Sequence, residues 1–184
     1  NYKIAEKGRI LISEPYLSDT YFKRSVVFLT EHNEEGSVGF VLNKPIDVKL
    51  QDVLQDFPDI PAGISIGGPV NTNTVHYLHT LGDLLPESVH VKGNIFWGGD
   101  FEVLKNLIIT GQIQKGQIRF FLFFFGWSPN QLEDELKQNA WLVADIRADL
   151  VMEAEKENFW SEVLEAMKDK YKVWANFPEN PGLN

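Results

Sequence analysis

Histidine is the one side chain whose ordinary pKa places its proton exchange near neutrality. The chain sets His76 and His79 three residues apart, with His90 further on. On a helix that spacing would put both rings on one face, where they could chelate zinc; on a strand they point to opposite faces. Residues 75–79 (Val-His-Tyr-Leu-His) read as a strand. With no evident third ligand either, no metal and no cofactor is expected. His79 is then a hydrogen-bonded, half-buried histidine or, in the catalytic reading, a general base. Gly63-Ile64-Ser65-Ile66-Gly67 has the G-x-S-x-G form of a nucleophile elbow, and Asp83 and His90 follow in hydrolase order. That chemistry needs the serine on a sharp strand-to-helix turn. Here Ile-Ser-Ile alternates as a strand does and runs into Gly68-Pro69, so Ser65 is expected to be structural.

Two glycine-rich turns could bind anions. Gly67-Gly68-Pro69 follows a strand, and Gly98-Gly99 precedes a helix whose first amides would be open to phosphate or carboxylate. Neither fits the dinucleotide or P-loop spacing. Asp100 would compete for the second, and tight-turn geometry explains both, since glycine is the default wherever φ is positive. Trp127 lies between an apolar strand and a capped helix, the kind of junction where sites form; it is either a core anchor or a stacking platform. The carboxylates Asp52, Asp56, Glu133, Asp134 and Glu135 read as solvated helix faces, because nothing in the sequence separates their environments as an acid–base pair requires.

These residues need elements to hold them. Residues 25–31 form an apolar run too continuous for a half-exposed strand and are expected to be buried on both faces. The loop Asn33-Glu34-Glu35-Gly36 joins them to a second strand over residues 37–42, a hairpin with Gly36 free to take positive φ. Asn43-Lys44-Pro45 ends that strand. Further strands are expected at residues 8–13, 64–66, 75–79 and 88–91, with a helical turn or two over residues 50–57. A helix over residues 101–110 is capped by Asp100 and closed by Gly111. Residues 118–125 form a very apolar strand, expected to be central. Ser128-Pro129-Asn130-Gln131 has the form of a capping box with Pro129 at the first helical position. A last amphipathic helix is expected over residues 158–170, followed by an irregular tail. The expected architecture is α+β: one domain over residues 1–184, with a mixed sheet and three or four short helices.

Composition narrows the function. The 184 residues include no cysteine, which removes thiol chemistry, Cys-containing zinc sites and disulfides, and fits a reducing, cytoplasmic compartment. No apolar stretch is long enough to cross a membrane. The net charge of −9, with no arginine-rich stripe, argues against direct nucleic-acid binding. Oligomeric state has no signature in the sequence.

An ordered set of segments resembles the bacterial YqgE/AlgH family. The segments are Leu11-Ile12-Ser13-Glu14-Pro15 with Phe22 and Ser25-Val26-Val27; Gly39 through Pro45; Gly67-Gly68-Pro69-Val70; Leu78-His79; Gly126-Trp127-Ser128-Pro129-Asn130-Gln131-Leu132-Glu133; Trp141; and the closing Pro181-Gly182-Leu183-Asn184. The resemblance implies a bacterial cytosolic protein whose sheet bends into a pseudo-barrel. It implies no known activity; members are described as uncharacterised or labelled transcriptional regulators. Members tend toward Gly-Tyr-small-Gly-Trp where this chain has Phe123-Phe124-Phe125-Gly126-Trp127, so any pocket that small residues leave open is expected to be smaller here. Pro-Gly-Leu-Asn likewise replaces the more usual Pro-Ser-Leu-Asn.

The leading expectation is a non-enzymatic regulatory protein that binds a small molecule or a protein partner, with Asn43, Gly67, Gly68, Pro69, His79, Trp127 and Gln131 as its candidate binding residues. The alternative is a hydrolase or transferase acting on a small anionic substrate with His79 as base, which requires a cleft and a carboxylate within hydrogen-bond reach of the ring.

Overall fold

The computed structural model describes residues 3–15, 21–154 and 158–167. Its centre is a 10-stranded sheet. The main path runs β10 (Trp141–Ala144), β1 (Ile10–Ser13), β2 (Val26–Asn33), β3 (Gly36–Val41), β9 (Ile118–Trp127), β6 (Val70–His79), β8 (Ile95–Trp97) and β7 (Val89–Lys92). The short strands β4 (Pro45–Ile46) and β5 (Ile64–Ile66) lie off this path, with β5 parallel to β9. Every other pairing is antiparallel. Five short α-helices are described: α1 (Leu50–Val53), α2 (Phe101–Ile109), α3 (Gln131–Lys137), α4 (Ala148–Glu153) and α5 (Phe159–Glu165). That exceeds the three or four expected, because α4 is too short to show a helical period in the sequence.

The sheet curls around one core. Val26 and Phe28 of β2, Ile10 and Ile12 of β1, Phe121 of β9, Leu78 of β6 and Val91 of β7 belong to a single buried cluster, plugged by Val151 of α4 and by Phe159, Trp160 and Leu164 of α5. Strands far apart in the sheet order therefore share one interior. The two ends of the sheet approach each other where Lys7 Nζ donates to the carbonyl of His90 at 2.9 Å. Among the described residues no strand pairing bridges them, so the curl stays open and the expected pseudo-barrel is not a closed one. Two further clusters cover the outer face. One lies under α1 and α2, with Tyr77, Leu104, Leu107 and Phe120; the other lies under α3, with Val27, Leu29, Trp127 and Leu132. This explains the continuous apolar run of β2: Val26 and Phe28 face the interior while Val27 and Leu29 face α3.

Two local irregularities set which residues face which way. In β2 the register slips between Leu29 and Glu31. In β9, Phe123 takes φ 65°, and its side chain joins none of the three clusters. Phe121 faces the interior, yet so does Phe124, while Phe125 and Trp127 face α3. One extra residue has been inserted, which is the count of a β-bulge whose first residue is left-handed. A one-residue shift exchanges the two faces of everything beyond it, so Phe123 is what delivers Trp127 to α3. Glycine ordinarily fills such a position, and the related Gly-Tyr-small-Gly-Trp pattern has glycine there.

Several expectations made from sequence hold. The β2–β3 hairpin pairs Asn33 with Gly36 across Glu34-Glu35, and Gly36 has φ 128°. Asp100 Oδ1 accepts from the amides of Glu102 at 3.0 Å and Val103 at 3.1 Å, capping α2, and β9 is central. The capping box at Ser128 is half right. Gln131 Oε1 accepts from the Ser128 amide at 3.0 Å. However, α3 begins at Gln131 and its N-cap is Asn130 at φ 68°, with no side-chain cap. Pro129 therefore precedes the helix instead of opening it, because asparagine tolerates the left-handed conformation that interrupts a helical turn. The helix expected over residues 50–57 covers only Leu50–Val53. The helix expected over residues 158–170 is α5, and residues 168–170, like the tail 171–184, lie outside the described residues.

Candidate functional site

The structure gives most of the sequence candidates a structural task. Gly67-Gly68-Pro69 is a strand crossing. β5 pairs with one edge of β9 at Ile66↔Leu122, while β6 starts on its other edge at Val70↔Phe124. The chain between them must pass over the β9 backbone. A Cβ on Gly67 would sit 2.4 Å from the Phe123 carbonyl oxygen, and one on Gly68 only 2.1 Å from the Phe124 carbonyl carbon. Gly67 also donates to the Leu122 carbonyl at 2.7 Å and accepts from the Val41 amide at 2.8 Å. Close backbone approach, and not anion binding, explains this turn. Gly98-Gly99 is similarly committed: its carbonyls accept from His79 and Tyr77, and the α2 amides beyond it are taken by Asp100.

His79 is fully buried. Its Nε2 lies 2.7 Å from the Gly98 carbonyl and 3.1 Å from Ser88 Oγ, while its Nδ1 accepts from the Leu81 amide at 3.2 Å. A carbonyl only accepts and an amide only donates, so the proton sits on Nε2 and the lone pair on Nδ1. Burial lowers the pKa of the ring, opposed by the bond to Gly98. Both nitrogens are engaged, and no carboxylate is among its bonding partners. Beside it, the Tyr77 hydroxyl donates to the Gly99 carbonyl at 2.6 Å, and burial together with Asp100 pushes its pKa up to about 12. His76 faces the other side of β6, where its ring meets Phe40 and Phe124, so the two histidines do not form a pair.

Asn43 is buried too. Its Oδ1 accepts from the Val26 amide at 3.0 Å and its Nδ2 donates to the Arg24 carbonyl at 2.9 Å, which holds the start of β2. Ser65 is sealed in the interior, where it accepts from Arg119 at 3.2 Å. Arg119, which the sequence reading passed over, is 2% exposed. Its guanidinium donates to the Val151 carbonyl at 2.7 Å and the Leu42 carbonyl at 2.6 Å, so a buried cation ties α4 to the sheet.

The structure brings candidates together in two places: Asn43 lies opposite Gly67 where the Ile66 amide donates to the Lys44 carbonyl and the Val41 amide to the Gly67 carbonyl, and Trp127 lies beside Gln131. Trp127 Nε1 and Gln131 Nε2 both donate to Glu135, at 3.2 and 3.0 Å. The seven residues do not share a site: His79 pairs with Ile118 and Trp127 pairs with Ser37 at the opposite ends of β9. At about 3.3 Å per residue the separation is on the order of 30 Å.

Sequence reasoning also missed a relay on the outer face. Ser37 Oγ lies 2.6 Å from His32 Nδ1, and His32 Nε2 lies 3.3 Å from Glu133 Oε1. In kind this is a serine–histidine–carboxylate chain. Acyl transfer also needs donors aimed at a developing oxyanion. Ser37 lies inside β3, between β2 and β9, and is 5% exposed. Its backbone faces neighbouring strands, so the relay straps the hairpin to α3.

Two clefts open at the surface. One of about 440 Å³ is bounded by Glu31, Glu35, Val38, Val70, Phe124 and the candidate Trp127, among others. A second of about 310 Å³ is bounded by Val75, His76, Glu87, Val89 and Trp97, among others. Both volumes fall in the range of ligand sites. Phe124, His76, Phe40 and Trp97 link them, with successive ring centroids 5.8, 5.2 and 5.9 Å apart. The ring of Phe124 lies across Gly126, where a Cβ would come within 3.1 Å of it. Phe124 stands at the aromatic position of the related pattern; of the two rings that replace small residues, neither Phe123 nor Phe125 bounds a cleft, and Phe125 packs on Trp127 and Trp141 with centroids 5.4 and 5.7 Å away. Among the described residues no group of acidic, histidine or cysteine side chains could hold a metal ion, and no helix is long and apolar enough to cross a membrane.

Comparison with known proteins agrees on the family. A family model described as AlgH-like matches residues 10–172. A UPF0301 protein of Chlorobaculum tepidum is 43% identical over 183 residues, covering 100% of this chain and 98% of that protein. One from Parabacteroides distasonis is 41% identical, covering 97% and 91%. The solution structure of the AlgH protein from Pseudomonas aeruginosa aligns with TM-score 0.74 at 26% identity, over 96% of this chain and 98% of that one. A crystal structure of a Corynebacterium diphtheriae protein shares the fold, with TM-score 0.75 at 22% identity over 96% and 95%.

Proposed function

The chain belongs to the AlgH-like family, and from that premise we propose that it is a non-enzymatic binding protein that takes its ligand or partner in the concave mouth of the curled sheet. The observation that carries this reading is the linked, half-buried stripe of Phe124, His76 and Trp97 between the two clefts. Half-exposed aromatics in a concavity are the usual anchors of recognition. A regulatory role acts through what binds there. A net charge of −9 weighs against contact with a phosphate backbone, and the absence of cysteine supports a cytoplasmic setting.

The alternative, a hydrolase or transferase with His79 as base, has less support. Its base is buried, both ring nitrogens are occupied, and neither cleft includes it.

A thermal-shift screen against nucleotides, phosphorylated metabolites, organic acids and amines tests the reading. A ligand at 100 times its Kd adds about 2.7 kcal/mol, a rise of roughly 5–11 °C for a chain of this size. The rise should vanish in Phe124→Ala and Trp97→Ala and persist in His79→Gln. A ligand whose shift survives both groove variants would place the site elsewhere.

A further inference from the structure

We infer that the groove binds a positively charged partner, a protein segment bearing lysine or arginine between apolar residues. This rests on the reading of the mouth as the binding site and adds the chemistry of its occupant. Glu31 and Glu35 stand at one end of the groove and Glu87 at the other, all three exposed. No lysine or arginine is among the described residues that bound either cleft. Among the described residues, no ion pair engages any of these three carboxylates.

The position of Glu31 is itself informative. Its register neighbour Val38 faces the interior, and the slip after Leu29 turns the Glu31 side chain toward the mouth as well. Without that slip it would lie on the α3 face. Bulges of this kind re-aim side chains beside sites. Between the acidic ends the floor is aromatic, and an aromatic face attracts an ammonium or guanidinium group. Apolar side chains of the same segment fit against Val70, Val89 and Phe124, of which Val70 is 37% and Val89 47% exposed. Both clefts are open to solvent, which suits an extended segment better than a small metabolite, whose binding requires most of its surface to be enclosed.

The probe is a fluorescein-labelled peptide of alternating lysine and leucine, with its glutamate–leucine counterpart as control. Fluorescence anisotropy is read at low and at physiological salt, with the full chain. Three variants are compared: Glu31→Gln/Glu35→Gln/Glu87→Gln in the groove; Asp52→Asn/Asp59→Asn/Glu102→Gln, an equal change of charge on the α1–α2 side; and Phe124→Ala.

The cationic peptide should bind, weaken about tenfold or more in the groove triple variant, and be unaffected by the α1–α2 variant. Equal weakening by both triple variants would reveal attraction to net charge alone and overturn the inference. Preference for the glutamate peptide, lost in Phe124→Ala, would overturn the cationic occupant while leaving the groove as the site. Absence of binding by either peptide would also overturn the cationic occupant, and the thermal-shift screen would then decide the groove independently.

Discussion

Trp127 and Trp141 meet on a single oxygen: both indole N–H groups donate to Glu135 Oε1, at 3.2 and 2.9 Å. The two rings lie edge to face with centroids 6.0 Å apart, and each is almost fully buried. One carboxylate on α3 thus joins β9 to the edge strand β10. Glu135→Leu would leave two buried donors unpaired, at about 1–3 kcal/mol each when fully orphaned. The variant is expected to melt at least roughly 4 °C lower, and up to about 24 °C lower if both donors are fully orphaned. Glu135→Gln, which keeps an accepting oxygen, should lose less than half as much. Thermal denaturation followed by tryptophan fluorescence reads both.

The strand crossing ranks the glycines. Gly68→Ala forces backbone atoms apart and is expected to cost more than about 3 kcal/mol, enough to deplete soluble protein. Gly116→Ala meets open space and pays only for its positive φ, roughly 1–2 kcal/mol. Urea denaturation of the two variants side by side checks the order.

At Phe123 the expectation inverts the usual one for an aromatic residue. Relief of the left-handed conformation is worth about 1–2 kcal/mol, against roughly 0.5–1 kcal/mol for glycine's greater freedom when unfolded. Phe123→Gly should therefore stay within about 1 kcal/mol of the parent. Phe121→Ala, at a fully buried position of the same strand, should cost about 3–5 kcal/mol. Chemical denaturation with matched m-values distinguishes them.

Acid should weaken the fold through His79 and His76, whose pKa values burial lowers. The unfolded rings protonate near pH 6.5 while the folded ones stay neutral, so between that pH and the lower folded pKa the unfolded state binds more protons. The contribution of each ring is intact above about pH 6.5 and declines as pH falls below it. His79→Gln should flatten the slope of stability against pH just below about 6.5. An NMR titration showing the His79 ring protonating at its ordinary pKa would contradict this.

Signals carried by neighbouring residues were legible in the sequence. The β2–β3 hairpin, the Asp100 cap and the apolar centre of β9 each depend on adjacent side chains, and each stands where the sequence places it. Strand β10 was not, because its place depends on pairing with β1 across the intervening chain. Nor was the inner face: that Glu31, Phe124 and Trp97 share a concavity follows from two register slips and from the order of strands, none of which has a local composition. Glycine-rich and tryptophan motifs drew the candidates, and most of those motifs serve close packing. The groove is built largely from ordinary valines, phenylalanines and glutamates, and the motif residues among its lining are Gly126-Trp127 at one cleft and His76 with Gly98-Gly99 at the other.

The crossing of Gly67-Gly68-Pro69 over β9 also bears on how the chain acquires its shape. β5 and β6 are neighbours in sequence but are held apart by a strand that the ribosome delivers much later. Until residues 118–127 emerge, those two strands have no common partner and the interior has no central wall. The first half of the protein therefore cannot mature alone during synthesis. It waits, with its apolar strands uncovered, for one late segment to slot between them. Contacts so distant along the chain slow folding and expose it to aggregation.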